Sequence, residues 1–289
     1  MIIDAHAHLW KQQTGRRGDL PVRSLCNGLA DFGGEIRQMQ PPYMITGENS
    51  PEMLIANMDY AGVNGAVIVG EVMDGNQNEY FLRAKRKYPD RFKICAYFDE
   101  GEPYTLNGFD GIKLCACKLK TPGLQKHFDV FERACREKKF VCIELEDGDR
   151  QTGELKEIAG QLPELKIAIG HFGMVTRDGW QEQIRLARLK NVFIESGGIT
   201  WLFNEEYYPY PSAVRAILEA AEICSMDKLM WGSDYPRTMV EITYKMSFDF
   251  ILKSPLLSDA DKDKLLFSNA KAFYGFQDLK ELPIIPNML

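Results

Sequence analysis

Two histidines one residue apart, His6 and His8, are the residues of this chain best placed to do chemistry. They follow an apolar run at the N-terminus, and side chains two positions apart on an extended strand project from the same face. Both imidazoles can therefore converge on one point, as the ligands of a metal ion do. The alternative is an ordinary first strand with two half-buried histidines.

Four further polar residues come at or near the ends of predicted strands. They are Lys113, Glu144, His171 and Asp234. The chain has 4 histidines, and three of them occupy such positions, whereas His127 begins a predicted helix and is expected on the surface. Two imidazoles and a carboxylate at about 2.0 to 2.2 Å form a set that Zn2+ accepts, with a position left for water.

Each of these four residues also has a purely structural interpretation. His171 could be a core histidine bonded to backbone, and Asp234 could be a turn residue in Ser-Asp-Tyr-Pro. Glu144 begins an acidic cluster that could be a solvated loop. Lys113 could bind substrate or be a structural cation inside the barrel, it could be a modified lysine that bridges two metal ions, or it could be a buried lysine paired with a carboxylate. Whether these groups act together depends on the fold that holds them.

Short apolar runs alternate with segments of helical periodicity, which favours parallel strands joined by crossover helices. Eight strands are predicted, approximately at residues 1–5, 64–70, 92–98, 109–115, 139–145, 165–170, 191–196 and 228–232. Helices are predicted near residues 51–61, 76–88, 126–138, 152–161, 178–189, 211–225, 243–253 and 259–273. The segment between the third and fourth strands is too short for a full helix.

This alternation predicts an α/β fold, a (β/α)8 TIM barrel in a single domain over residues 1–289. A doubly wound sheet, the competing fold, should carry a glycine-rich phosphate loop, and neither G-x-G-x-x-G nor G-x-x-x-x-G-K-[ST] occurs. In a barrel the C-terminal ends of all strands meet at one face, so that His6 and Asp234 can share a site. Residues 11–50 lack clear periodicity and are predicted to form a long loop over the barrel mouth.

Composition limits the class of partner. The net charge is -6 with acidic and basic residues interleaved, so nucleic acid is not an expected partner. No apolar stretch approaches the ~20 residues needed to span a bilayer, and the N-terminus does not resemble a signal segment. The 7 cysteines, without CxxC spacing, fit reduced thiols. We expect a cytoplasmic protein with a small-molecule substrate, and a homo-oligomer is left open.

Several short motifs follow one another in a family-specific order. They are Ile-Asp-Ala-His-Ala-His-Leu-Trp, Met-Asp-Tyr-Ala-Gly-Val-Asn-Gly-Ala-Val-Ile-Val, Tyr-Pro-Asp-Arg-Phe, Gly-Ile-Lys-Leu, Ile-Gly-His-Phe-Gly, Trp-Gly-Ser-Asp-Tyr-Pro and Ser-Asn-Ala-Lys-Ala-Phe-Tyr. From Ile2 to about Phe276 the chain resembles the amidohydrolase superfamily. Within it, the motifs are similar to the amidohydrolase-related branch of aminocarboxymuconate semialdehyde decarboxylase, resorcylate decarboxylases, pyrone dicarboxylate lactonase and sugar lactonases.

The resemblance implies that His6 and His8 hold a divalent metal ion. It also implies that Asp234 binds the ion or takes the proton of its water, and that His171 is a ligand or an acid–base group. The implied cofactor is one divalent ion, zinc first, with manganese or no metal as alternatives.

Two positions depart from the family pattern. Glu144 stands where many relatives carry a histidine on the fifth strand, and Cys115 stands where the family often has one after Gly-Ile-Lys-Leu. We predict Glu144 as a metal ligand together with His6, His8 and Asp234, while the acidic-loop interpretation stays open.

The expected activity is metal-assisted hydrolysis of a small cyclic ester or amide, as in a lactonase. A bound ion would activate water, Asp234 would accept its proton, and His171 would stabilise or protonate what forms. Non-oxidative decarboxylation of a small unsaturated or aromatic acid on the same site is the alternative. A catalytically silent barrel that binds a ligand or partner is a third interpretation.

Five cations are candidates for binding a carboxylate of the substrate. They are Lys113, Arg16, Arg17, Arg23 and Arg237. A guanidinium can hold a carboxylate with two parallel hydrogen bonds. A solvated surface position is the alternative for each arginine.

Overall fold

The computed structural model describes residues 1–283. Its strands belong to two sheets. In chain order the strands are β1 (Ile3–Ala7), β2 (Arg16–Arg17), β3 (Leu20–Ser24), β4 (Leu29–Phe32), β5 (Ile36–Gln38), β6 (Gly65–Ile68), β7 (Phe92–Tyr97), β8 (Gly111–Cys115), β9 (Phe140–Glu144), β10 (Ile167–Ile169), β11 (Val192–Glu195) and β12 (Leu229–Met230). Strand β1 and strands β6 to β12 form one parallel sheet, and β2 to β5 form a small antiparallel sheet.

The parallel sheet is a barrel whose last strand returns to its first. Its strands are neighbours in chain order, and the ring is closed by backbone bonds from the β12 region to β1. Ala5 N donates to Trp231 O over 2.9 Å, and Asp234 N donates to His6 O over 2.9 Å. Each of the eight predicted strands is present, and the (β/α)8 TIM barrel prediction is confirmed.

Helices surround the barrel on its outside and at its N-terminal end. They are α1 (Pro51–Ala61), α2 (Asn78–Lys87), α3 (Phe128–Arg136), α4 (Thr152–Gln161), α5 (Trp180–Leu186), α6 (Ile199–Leu202), α7 (Pro211–Cys224), α8 (Met246–Lys253), α9 (Asp259–Asp263) and α10 (Asn269–Tyr274). A π-helical segment, Lys264–Ser268, joins the last two. As expected, no helix separates β7 from β8. Within residues 1–283, none of the helices has the length and apolarity to cross a bilayer.

Local chemistry explains where α1 begins and ends. Ser50 caps the N-terminus by accepting a hydrogen bond from Met53 N, and Pro51 occupies the first turn. Gly62 ends the helix in the left-handed conformation, with φ 79°.

Residues 11–50 are not the plain loop that we predicted, because they contain the small antiparallel sheet. Its strands have two to five residues, too few for an alternating pattern to stand out in sequence. The segment is fastened beyond the C-terminal end of β6, where Thr14 N donates to Asp74 O and Arg16 N donates to Val72 O.

Helix α10 fills the N-terminal end of the barrel. Phe273 and Tyr274 pack with inward-facing apolar residues such as Ile3, Val67 and Ala168. Burial of such side chains contributes roughly 1.5 to 3 kcal/mol each. With this end closed by apolar packing, the polar interior of the barrel lies at the C-terminal ends of the strands.

Candidate active site

Three predicted site residues meet where β1 and β12 end. Nε2 of His6 lies 3.1 Å from Nε2 of His8. Oδ1 of Asp234 lies 3.0 Å from Nε2 of His8 and 3.8 Å from Nε2 of His6. All three side chains are buried. The closed barrel thus brings together groups more than two hundred positions apart in the chain.

The donor set of His6, His8 and Asp234 fits a divalent metal ion. Two ligands at about 2.0 to 2.2 Å from Zn2+ in a tetrahedral arrangement lie roughly 3.3 to 3.6 Å apart. The three ligand atoms here are separated by 3.0 to 3.8 Å. Two neutral imidazole nitrogens that face each other can share only one proton, whereas a cation between them satisfies both lone pairs.

Glu195 orients the ring of His6. Nδ1 of His6 donates to Oε1 of Glu195 over 2.6 Å, and Gly197 N donates to Oε2 over 2.6 Å. Burial alone would raise the pKa of Glu195, but the charge and hydrogen bond of His6 lower it. The sequence analysis did not select Glu195. It is nevertheless a polar residue at the end of β11, and a polar residue at the end of β9 was the reason for selecting Glu144.

Asp74 faces the other nitrogen of His8. Its Oδ2 lies 3.0 Å from Nδ1 of His8, and its Oδ1 accepts a hydrogen bond from Gln13 Nε2 over 2.9 Å. Burial lowers the pKa of His8, but the charge of Asp74 and the hydrogen bond with Asp234 raise it to about 9. Asp74 lies in a turn beyond β6, where the sequence carries no periodic signal.

The carboxylate of Asp234 is held on both oxygens. Nε1 of Trp201 donates to Oδ2 over 2.8 Å, while Oδ1 faces the histidines. Burial would raise the pKa of Asp234, but the hydrogen bond of His8 and the charges of Arg237 and His8 hold it well below its usual range. The residue has a φ of 57°, a left-handed conformation that aspartate tolerates better than most residues.

His171 lies beside this group and contacts a second carboxylate. Its Nδ1 donates to Gly197 O over 2.9 Å, and its Nε2 lies 3.1 Å from Oε1 of Glu144. The ring centroid of His171 is 4.7 Å from that of His6. Burial lowers the pKa of His171, but the charge of Glu144 raises it to about 9.

Lys113 contacts the same oxygen of Glu144. Its Nζ lies 2.6 Å from Oε1, and its side chain is 0% exposed. Burial would raise the pKa of Glu144, but the charges of Lys113 and His171 lower it well below its usual range. Burial would lower the pKa of Lys113, and the negative charge of Glu144 raises it. The structure therefore shows Lys113 buried and paired with a carboxylate, while its role in substrate binding stays a prediction.

Among the residues that the structure describes, two overlapping groups could hold an ion. One contains His6, His8 and Asp234, and the other contains His6, Glu144 and His171, with all ligand atoms of a group within 4.8 Å of one another. Glu144 is therefore in the group of His171 and not in that of His8 and Asp234. Its metal-binding role stays a prediction.

A cavity of about 390 Å³ opens beside the cluster. His171, Asp234 and Glu144 line it, together with apolar side chains such as Met174 and Trp201. This volume suits a small ligand. The arrangement thus brings potential metal ligands, a carboxylate and an imidazole together around one small chamber.

Two cations line the cavity, and sequence reasoning found only one of them. Arg237 and Lys118 both pair with the buried carboxylate of Glu71. Nη2 of Arg237 also lies 3.4 Å from Oδ1 of Asp74. Burial would raise the pKa of Glu71, but the charges of Arg237 and Lys118 lower it to about 2. Lys118 lies in a short turn after β8 and belongs to no motif that would have selected it from the sequence.

The structure does not bring Arg16, Arg17 and Arg23 to this cavity. All three lie on the small antiparallel sheet, outside the residues that line the chamber. On β3, Val22 and Ser24 are buried while Arg23 is exposed, because successive side chains of a strand point to opposite faces. Sequence alone does not say which face of this sheet meets the barrel.

The surface prediction for His127 is wrong. The residue is buried, its Nε2 donates to Thr121 O over 3.0 Å, and its ring meets Phe98 edge to face. One satisfied nitrogen and one aromatic contact make it a structural histidine.

The sequence from residue 3 to residue 276 matches the model of the family described as Amidohydrolase (Amidohydro_2). No curated protein sequence matches the chain significantly.

Solved structures share the fold at low sequence identity. A probable 2-pyrone-4,6-dicarboxylic acid hydrolase from Acinetobacter baumannii with citric acid bound is 21% identical, with a TM-score of 0.65 over 95% of this chain and 99% of the other. An amidohydrolase from Burkholderia multivorans with bound Zn is 14% identical, with a TM-score of 0.67 over 95% and 99%. The 5-carboxyvanillate decarboxylase of Novosphingobium aromaticivorans, complexed with manganese and a nitrobenzoic acid, is 18% identical, with a TM-score of 0.57 over 77% and 79%.

Proposed function

Because the chain belongs to the amidohydrolase family, we propose that it is a metal-dependent hydrolase of a small cyclic ester or amide that carries a carboxylate. The observation behind this proposal is the convergence of His6 Nε2, His8 Nε2 and Asp234 Oδ1 within 3.8 Å. These three residues would hold one divalent ion, zinc or manganese. When bound, the ion would supply a water of lowered pKa and polarise the carbonyl under attack.

Asp234 would act as the general base. One of its oxygens points toward the histidines, and the other is held by the indole N–H of Trp201. This hydrogen bond restrains rotation of the carboxylate, so that a carboxylate oxygen faces the attacking water and can accept its proton. Because Trp201 also lines the cavity, it helps to keep bulk water away from the reacting groups.

His171 would deliver a proton to the leaving oxygen or nitrogen. Its ring is fixed by the hydrogen bond to Gly197 O and lies next to Glu144. It borders the same chamber as Asp234. A base and an acid on one chamber are the two proton-handling groups that ring opening requires.

The cations of the cavity support a substrate with a carboxylate. An ammonium has three N–H donors; that of Lys118 donates to Glu71, and its side chain is 39% exposed where it lines the cavity. A substrate carboxylate would take up the remaining donors.

Elemental analysis and a substrate panel test the proposal. Protein purified without chelator should contain about one equivalent of Zn or Mn and should hydrolyse members of a panel of lactones and cyclic amides, with carboxylated members preferred. Asp234→Asn should lower turnover by roughly 100-fold or more. Asp263→Asn, on an exposed position of α9, is the matched control. Unchanged turnover in Asp234→Asn contradicts the assignment of the base.

The mass of the product separates the reaction classes. A gain of one water identifies hydrolysis, whereas loss of CO2 without added water identifies decarboxylation on the same site. Protein that contains no metal and turns over no member of the panel would support a binding function instead.

A further inference from the structure

The two candidate metal-binding groups compete for one nitrogen atom. Both groups include His6, and Nδ1 of His6 already donates to Glu195. Only Nε2 has a free lone pair, and one lone pair can bind one ion. If His6 joins His8 and Asp234 around an ion, the other group is left with Glu144 and His171 alone.

Lys113 supplies a positive charge at that second group. Its neighbours on β8, Ile112 and Leu114, pack toward the helices, so the alternation of the strand turns Lys113 into the barrel. Its Nζ lies 2.6 Å from Oε1 of Glu144, the same oxygen that faces Nε2 of His171. The ammonium therefore sits against the carboxylate oxygen that a second ion would need.

We infer that Lys113 is a fixed internal cation that excludes a second metal ion from Glu144 and His171, the two donors that remain when His6 binds the first ion. The candidate site would then take one ion, on His6, His8 and Asp234. This inference rests on the proposed metal-dependent function. It assigns Glu144 as the counter-charge of Lys113 and a positioning residue for His171, in place of the ligand role that the sequence predicts.

Burial makes the exclusion effective. The side chain of Lys113 is 0% exposed and that of Glu144 is 7% exposed, so water and salt screen their charges little. A divalent ion next to the ammonium would meet strong repulsion at low effective dielectric. Removing Lys113 leaves the carboxylate of Glu144 and the ring of His171 facing each other without this cation, which is a pair of donors that Zn2+ or Mn2+ accepts.

Metal stoichiometry tests this inference without reference to turnover. Wild type, Lys113→Met and Lys113→Met/Glu144→Gln are stripped of metal, titrated with Mn2+ and analysed for bound metal after gel filtration. We expect one equivalent for wild type, two for Lys113→Met and one for the double variant. The control is Lys93→Met, because Lys93 lies 3.3 Å from Asp110 in the cavity next to α10 at the other end of the barrel, and it should bind one equivalent.

Electron paramagnetic resonance of the Mn2+ forms gives a second readout. Lys113→Met should show the broadened signal of two neighbouring ions, and wild type should show isolated Mn2+. Two equivalents in wild type, or a folded Lys113→Met that binds no more metal than wild type, would overturn the inference.

The stability of the variant is part of the test, because loss of Lys113 leaves the buried carboxylate of Glu144 without its compensating positive charge. If Lys113→Met does not fold without metal, recovery of its native circular dichroism on addition of Mn2+ supports the inference. Failure to recover in this variant and in Lys113→Gln counts against it, since the incoming ion should replace the missing charge. If wild type binds no ion, the proposed function is wrong. The inference about Lys113 is tested separately, by the difference in bound metal between wild type and Lys113→Met.

Discussion

Oε1 of Glu195 accepts a hydrogen bond from Nδ1 of His6 at 2.6 Å, linking the C-terminal ends of β11 and β1. This bond fixes the tautomer of the imidazole, because a proton on Nδ1 leaves the lone pair of Nε2 directed at His8 and Asp234. Carboxylates behind metal-binding histidines orient the ring and increase its basicity. Glu195 is therefore a positioning residue of the candidate metal centre.

Glu195→Gln should weaken metal binding by about 10- to 100-fold. The amide cannot supply the negative charge that favours the Nδ1-protonated ring. Equilibrium dialysis against buffered Zn2+ or Mn2+ measures the change. Glu182→Gln, on the exposed side of α5 and paired with Arg185, removes the same charge elsewhere and should bind metal as wild type does. Equal affinity in both variants would remove Glu195 from the site.

Chelation should lower the thermal stability of the metal-loaded protein. An ion that binds only the folded chain stabilises it by about 2.7 kcal/mol when its free concentration is 100 times Kd. Thermal unfolding followed with EDTA and again after Zn2+ is restored measures this contribution. The response should disappear in His6→Ala and persist in His127→Ala, and a response that His6→Ala retains would show that the ion binds elsewhere.

Trp201→Phe should lower kcat/KM by roughly 10- to 100-fold. The substitution keeps an aromatic ring in the cavity wall but removes the N–H that Asp234 accepts, and a hydrogen bond to a charged group contributes about 1.5 to 3 kcal/mol. Steady-state kinetics on an accepted substrate measure the loss. Trp180→Phe, at a buried indole outside the cavity lining, is the matched control, and equal activity in the two variants would exclude a role for the indole.

Gly232→Ala should destabilise the fold by about 1 to 3 kcal/mol. A Cβ at this position would lie 2.7 Å from Cβ of His6 and 3.0 Å from Oε2 of Glu195, so the backbone of β1 or of the turn after β12 must shift. Gly160→Ala, where a Cβ meets nothing within 4 Å on α4, should be neutral or stabilising because alanine favours helix. Urea unfolding compares the two, and similar stability would show that the contact relaxes without cost.

Glu71 should contribute to stability in a pH-dependent way. Burial would raise its pKa, but Arg237 and Lys118 lower it from 4.5 to about 2 in the folded protein. A lowered folded-state pKa stabilises the fold above pH 4.5, and this contribution is lost as the pH falls toward 2. The full contribution is about 3 kcal/mol.

Urea unfolding of wild type and Glu71→Gln measures this effect. At pH 7 the variant should be less stable by a few kcal/mol, and the difference should shrink by roughly half at pH 3. A difference that does not change with pH would show that the loss comes from packing and not from charge. Glu79→Gln, on α2, controls for the general effect of one acidic residue.

The positions of His6, His171 and Asp234 were open to prediction because each lies close to the end of a recognisable strand. The same criterion selects Glu195, which ends β11 after buried Ile194. Residues in the turns beyond the strands, such as Asp74, carry no periodic signal, so their place in the site could not be predicted. The location of Arg16, Arg17 and Arg23 on the small antiparallel sheet could not be predicted either, because it depends on which face of that sheet meets the barrel.

The amino-acid sequence alone determined the number and order of the barrel strands and the gathering of imidazoles and a carboxylate at their C-terminal ends. Both follow from local periodicity and from the parallel arrangement that periodicity implies. The tertiary structure alone decided the partners of the charged groups, with Lys113 on Glu144 and Arg237 on Glu71. Such pairs depend on side-chain directions and on distances of a few ångströms between separate strands and turns, which no local pattern in the chain specifies.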